Sequence, residues 1–200
     1  MNRILFLIVI FLLTVSCSKV SNRFTLDISL NKKDTDSAYI YIYEQEYGAL
    51  RLYDKNSVKN GRIYFAGETS EPRIAFLKFS NDSVPYYFIL NNNHITFSFD
   101  DNKFILKGGN DNTQYFRYLL TRQNIENAKK YVWNKYKKYA SDSILTDSIE
   151  NALKIYNDKL SDSLENITID CINTQNLVSE IVWRRFGNSL PDSKLDRLKK

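Results

Sequence analysis

At Gly108-Gly109 the spacing of apolar residues along the chain changes from two to about 3.6. Before the break, Phe24, Leu26, Ile28 and Leu30 alternate with polar neighbours, the pattern of a strand with one buried face. Ala38 to Tyr43 places Ile40 and Ile42 on one side and Tyr39, Tyr41 and Tyr43 on the other, so both faces of that strand need cover. Tyr47 to Tyr53 reads as a weaker strand. Val58 to Phe65 carries Asn60-Gly61 between strand-like residues, a strong hairpin signal. Arg73 to Phe79, Val84 to Leu90, Ile95 to Phe99 and Lys103 to Leu106 follow, separated by turn-forming Ser, Asn and Asp clusters. Short strands at this spacing predict an antiparallel sandwich or barrel.

Beyond the break, Phe116, Leu120, Ala128, Val132 and Tyr136 mark one helix. Leu145, Ile149, Leu153, Tyr156, Leu160, Leu164 and Ile167 form the stripe of a second. Leu177, Val178, Ile181, Val182 and Phe186 mark a third, with Gly187 placed as its C-cap and a short turn after Pro191. The predicted fold class is α+β: an antiparallel β-sandwich-like domain over 23–109, then an α-helical segment over 110–200. The stripes must be buried somewhere, so the helices are expected to lie over the tyrosine-bearing sheet face and make one cooperative unit with it.

The first 16 residues read as an export signal. Arg3 precedes an unbroken apolar run from Ile4 to Leu13, closed by Thr14-Val15-Ser16-Cys17. The run falls short of the about 20 apolar residues that span a bilayer, and its flanks are those of a cleaved secretory signal. Leu13 to Cys17 resembles the lipobox of bacterial lipoproteins, although Thr14 stands where leucine is usual. The resemblance implies lipidation of Cys17, a tether over 17–22, and a membrane partner reached through the acyl chains, each buried methylene contributing about 0.8 kcal/mol. Ser18 to Ser21 contains no acidic residue, which favours the periplasmic face of the outer membrane.

Composition excludes several chemistries. Hydrophobic residues make up 43% and aromatics 14% of the chain, which argues for a packed core and against disorder. The formal charge of +5 is read as facing lipid headgroups or solvent, since export leaves no nucleic acid as a partner. With Cys17 lipidated, Cys171 stands alone between Ile169 and Ile172, which predicts a buried, inert thiol and no disulfide, CxxC pair or cysteine zinc site. His94 is the one histidine and is read as a loop or strand-start residue. Glu44 and Glu46 share a strand face near a turn and are read as solvated. Asp100 and Asp101 are turn residues without the alternating oxygen ligands of a calcium loop. No catalytic, cofactor-binding or metal-ligating set is found, and an enzyme ranks last among the functions considered. The run from Lys129 to Tyr139 mixes lysines with aromatics and is read as a helix with a charged outer face, a membrane-facing helix being the alternative.

Further residues carry a family resemblance. Phe24 to Ile28, Val58 to Gly67, Pro72, Tyr87 to Leu90, Ile95 to Phe97, and Ile105 to Gly109 followed by Asn112 resemble the domain-of-unknown-function 4369 family. This is the β-rich N-terminal module of Bacteroidota lipoproteins that usually continue into a thioredoxin-like thiol:disulfide interchange domain. Asn173 to Ile181 resembles the helical stretch preceding that domain. The chain stops at Lys200 without a CxxC motif, so no catalytic cysteine is carried over, and the resemblance implies a stand-alone accessory module. Asp-Ser followed by an aliphatic residue, at Asp36-Ser37-Ala38 and Asp82-Ser83-Val84 among five occurrences, resembles the O-glycosylation acceptor pattern of exported proteins in the same bacteria. Ser37 and Ser83, expected in loops, are the candidate acceptors; turn and helix-start chemistry accounts equally for the pattern. Two functions are expected from these readings. One is a non-catalytic envelope lipoprotein that binds a protein or glycan partner. The other is an accessory subunit acting in trans with a separate thioredoxin-like oxidoreductase.

Overall fold

A computed structural model describes residues 23–31, 35–44, 49–100, 103–141 and 147–198. Eight strands form two four-stranded sheets. They are β1 (Arg23–Asn31), β2 (Ser37–Glu44), β3 (Ala49–Ser57), β4 (Arg62–Glu68), β5 (Arg73–Phe79), β6 (Tyr86–Leu90), β7 (His94–Asp100) and β8 (Lys103–Lys107). One sheet runs β4-β1-β7-β8 and the other β3-β2-β5-β6. The helical segment comprises α1 (Gly109–Ser141), α2 (Asp147–Ile172), α3 (Leu177–Phe186), a single 3-10 turn over Gly187–Ser189 and a short α4 (Asp192–Leu195). The fold is the expected sandwich-like α+β arrangement, with two differences in strand pairing.

The first difference is that β1 and β7 are parallel, Leu26 standing opposite Ile95 and Ile28 opposite Phe97. That sheet is mixed. Period-two alternation reports which face of a strand is buried, and it is silent on strand direction. The second concerns Asn60-Gly61. Both residues have positive φ, 51° and 71°, the conformation a type I′ turn needs, and Lys59 bridges to Arg62 across it. Yet β3 and β4 then diverge into different sheets. The dipeptide makes a tight turn at the corner of the sandwich, not a two-stranded hairpin. The Gly61 carbonyl accepts from the Leu30 N–H at 2.8 Å, which ties that corner to the end of β1.

The inner faces supply the core: Phe24, Leu26 and Ile28 of β1 with Phe65, Phe97 and Leu106 of their sheet, against Ile40, Leu77, Phe79 and Phe88 of the other, all nearly fully buried. Rings meet across the layer edge to face, as Phe79 does Phe99 (5.0 Å, 85°) and Phe88 does Phe97 (5.5 Å, 87°), a favoured geometry for aromatic pairs.

Helix α1 closes the open side of this sandwich, touching both β6 and β8, the edge strands on that side. A Gly-Gly pair makes the junction possible. Gly108 and Gly109 have φ of 131° and 68°, and a side chain at Gly108 would run into the backbone of His94 and Ile95. One turn later Asn112, fully buried, docks on the free edge of β6. Its Oδ1 accepts from the Ile89 N–H and its Nδ2 donates to the Ile89 carbonyl, both at 2.8 Å. The amide thus does what a neighbouring strand would do, satisfying an edge that would otherwise be buried unpaired. Tyr115 and Tyr118 follow on the same face and join the sandwich core, as do Val178, Ile181 and Val182 of α3. Strands and helices therefore share one core. The inward stripe at the start of α1 is Asn112, Tyr115 and Tyr118, whereas Leu120, read from the sequence as inward, is 43% exposed.

Helix α2 runs back along α1, with Tyr118 Oη 3.0 Å from Thr168 Oγ1 near the sandwich and Lys129 Nζ donating to Ser161 Oγ at 2.8 Å farther out. Helix α3 begins at an Asn176 N-cap, whose side chain accepts from the Ser179 N–H. At its end Gly187 is the C-cap, though in right-handed conformation. The glycine is needed there for space, since a side chain would strike the Trp183 ring.

Candidate binding surfaces

Cys17 and Glu46, with Asp101, Leu145 and Ser143, lie outside the described residues. Ser37 is corrected: it is the first residue of β2, 7% exposed, because its strand continues one residue farther than the Asp-Ser turn reading allowed. Ser83 sits exposed in the β5–β6 connection, where the pattern placed it. His94 opens β7, with Nδ1 2.7 Å from Thr25 Oγ1. Glu44 pairs with Arg51 at 2.6 Å, and Asp100 accepts from Asn31 at 2.9 Å. Cys171 is half-buried, short of the full burial expected, and it packs against the core. Burial pushes its thiol up to about 11, which leaves almost no thiolate at neutral pH. Among the described residues no group of His, Cys, Asp and Glu is arranged to hold a metal ion, and no helix is long and apolar enough to cross a membrane.

The tyrosine face of the β3-β2-β5-β6 sheet is covered at one end and open at the other. Arg184 of α3 lies over Tyr43 at 3.8 Å, and Arg185 over Tyr87 at 5.5 Å. Toward the β3 edge, Leu50 and Leu52 are 56% and 49% exposed. Between them runs a ladder of rings: Tyr39 stacks on Tyr41, Tyr41 on Phe76, and Phe76 tilts against Tyr87, with Lys55 over the Tyr39 ring at 5.0 Å. These rings spend their faces on one another and on cations. Stacking on a sugar needs a free ring face, so the ladder is poorly suited to it.

A cleft of about 840 Å³ lies between α1 and the β7–β8 end of the sandwich, floored by Phe104, Phe116 and Phe186. Its volume falls in the range of ligand sites, about 300–1,000 Å³. Most of its charged groups already have partners: Arg122 with Glu126 at 3.0 Å and over Phe186 at 4.1 Å, Arg185 with the Tyr115 hydroxyl at 3.0 Å, and Asp100 with Asn31, while Lys103 also lines the rim. Burial pushes the Tyr115 hydroxyl up to about 12 and raises that of Tyr118 as well. Both phenols are neutral packing groups at physiological pH.

The third surface is an arm. Gly109 sits beside Asn91 and Asn93, at the end of the sandwich where Thr25 pairs with His94. Arg122, Gln123 and Glu126 lie beside Asn31, Asp100 and Lys103 at the opposite end. Helix α1 has thus passed the length of the sandwich by Glu126, and its last 15 residues project with α2 by roughly 22 Å, at about 1.5 Å per residue. On this arm Tyr131, Trp133, Ile155 and Tyr156 are 61%, 56%, 56% and 51% exposed. Trp133 and Tyr136 stack at 5.5 Å and 7°, while Lys137 covers Trp133 at 5.4 Å and Lys135 covers Tyr131 at 5.1 Å. A notch of about 200 Å³ opens between the helices, lined by Trp133 and Tyr136 of α1 and by Glu150, Leu153, Lys154 and Asn157 of α2. The lysine–aromatic run is legible in the sequence. That its aromatics face outward is not, because it depends on where the sandwich ends.

No curated protein matches the chain detectably. Residues 24–115 match the family model described as Domain of unknown function (DUF4369). The match runs from the first buried ring of β1 to Tyr115, and so includes the Gly-Gly junction and the Asn112 clamp that close the sandwich. Residues 24–115 of this chain are thus a DUF4369 domain.

Proposed function

We propose that this protein is a non-catalytic lipoprotein of the cell envelope, anchored through Cys17, that binds a protein partner. The observation that carries this reading is the set of large exposed side chains on the arm, Trp133 above all, which stacks on Tyr136 beside the notch between the helices. Solvent-exposed Trp and Tyr at this density are costly on a surface with no task, and they are the residue types that dominate interface energetics. A protein is favoured over a glycan because the stacked ladder of Tyr39, Tyr41 and Phe76 offers edges and not ring faces. The arm projects from the sandwich end opposite Arg23, whose strand begins beside Glu68 and near His94. A short tether from Cys17 would thus leave the arm pointing away from the anchoring membrane.

Site-specific photo-crosslinking in cells tests the reading. A photoreactive residue placed at Trp133 or at Leu52 should cross-link to one discrete envelope protein, and one at Asp27, in the polar outer strand face, should not. Cross-links to lipid alone, or none at any position, refute it. The Cys17→Ala variant should leave the membrane fraction or remain unprocessed; membrane-bound mature protein in that variant would refute the anchor.

A further inference from the structure

An isolated pair of antiparallel helices buries only the narrow seam along which the two touch, so apolar stripes wider than that seam need a third element to cover them. Near the sandwich α3 supplies the third element, packing on α2 and α1. On the arm no described element does so. There Val132 is the buried residue of α1, while Tyr136 on α1 and Ile149, Leu153 and Leu160 on α2 are half-buried. The seam is that of a three-helix bundle with one helix missing.

We propose that the arm seats one amphipathic, acidic α-helix contributed by a protein partner, completing that bundle. This deepens the protein-binding reading and rests on it. Three observations select the occupant. The first is the notch: it is walled by both helices, by Trp133 and Tyr136 on one side and Leu153 on the other, and at about 200 Å³ it lies below the range of small-molecule sites, about 300–1,000 Å³. It has room for one large apolar side chain, the knob that a packed helix inserts into a hole of this kind. The second is chain direction. The two walls are parallel to the groove, so an occupant with apolar residues at positions i, i+3, i+4 and i+7 presents a continuous row to it. The third is charge. From Asn127 to Ser141 there are five lysines and no acidic residue. Lys130, Trp133 and Lys137 stand at i−3, i and i+4 on one helix face, whereas the α2 wall carries both Lys154 and Glu150, the latter accepting from the Tyr136 hydroxyl at 3.4 Å, so the positive rim lies on α1. Glutamates on the rim of an incoming helix would meet these ammonium groups at the edge of the groove, where they steer association and set specificity.

The test uses the purified full chain in non-ionic detergent with three probes. These are a synthetic amphipathic peptide with a Leu/Ile face and a Glu-rich polar face, its counterpart with Lys replacing Glu, and phosphatidylglycerol vesicles. The acidic peptide should bind at least tenfold more tightly than the basic one and gain helicity on binding. Trp133→Ala, at an exposed position, should weaken it at least tenfold with the circular dichroism of the protein unchanged. Lys130→Glu with Lys137→Glu should reverse the preference between the peptides. Equal binding of the two peptides, no binding of either, an undiminished Trp133→Ala complex, or capture of the protein by vesicles alone each overturns the proposal. Cross-links through Leu52 and not Trp133 would remove the helix seat while leaving the binding-module reading intact.

Discussion

The two halves of α1 are alike in aromatic content and opposite in burial. Gly109 to Glu126 carries Tyr115, Phe116 and Tyr118; Asn127 to Ser141 carries Tyr131, Trp133, Tyr136 and Tyr139. In the first half Tyr115 is fully buried and Tyr118 nearly so; in the second Tyr131 and Trp133 are more than half exposed. The backbone is one continuous helix across both. Aromatic content therefore does not mark the core of this molecule. What separates the halves is whether the sandwich lies alongside, and the same residue types serve packing on one side of that limit and recognition on the other.

The largest test of that contrast is truncation. A chain ending at Gly109 loses the Asn112 clamp and the rings that close the β6–β8 side, and it should be recovered only as aggregate. Solubility and an unchanged melting temperature for that fragment would show that the first half of α1 is not part of the core. Next come matched substitutions. Tyr115→Ala should cost about 3–5 kcal/mol in denaturant unfolding, as large aromatic truncations in a core do, whereas Tyr131→Ala should stay within about 0.5 kcal/mol. Comparable values for the two would erase the distinction. Asn112→Leu should follow at about 2–4 kcal/mol, since it strands both the N–H and the C=O of Ile89 at a buried edge.

A smaller effect is expected at high pH. The Tyr115 hydroxyl titrates near 12 in the folded chain and near the ordinary 10 when unfolded. The folded pKa is the higher one, so the stabilisation is complete below pH 10 and is lost as pH rises from 10 toward 12, by about 2–3 kcal/mol in all. Urea midpoints measured from pH 9 to 12 should fall more steeply for the wild type than for Tyr115→Phe. Parallel curves would place the hydroxyl in solvent. The smallest effect is chemical. Cys171 should react with a soluble thiol reagent far more slowly in the native protein than in urea, and equal rates would mean that α2 opens there.

Much of this organisation is legible in the residues. Alternation from Phe24 to Leu106 is a local property and maps directly onto strands, and Gly108-Gly109 marks the change to helix because only glycine fits against His94 and Ile95. Asn112 carried a family signal whose physical content, an amide standing in for a strand, needed the position of β6. The parallel β1–β7 pair and the parting of β3 from β4 at Asn60-Gly61 were not legible, since sheet membership is decided by contacts distant in sequence. A spacing of four from Phe116 suits an inward helix face for Leu120, while the true stripe runs through Asn112, Tyr115 and Tyr118. Asp-Ser favours a turn at Ser37; strand pairing with Ser57 overrides that preference.

The parallel pairing of β1 with β7 has a kinetic consequence. Its partners are 69 residues apart, as Thr25 and His94 are, and β1 is an inner strand of its sheet. A chain that emerges N-terminus first delivers β1 early and must then keep Leu26 and Ile28 from other partners until His94 to Asp100 has followed. Non-local closures of this kind slow folding and leave strand edges open to misassembly in the interval. The vulnerable period of this protein is therefore its birth, before His94 to Asp100 has closed on β1.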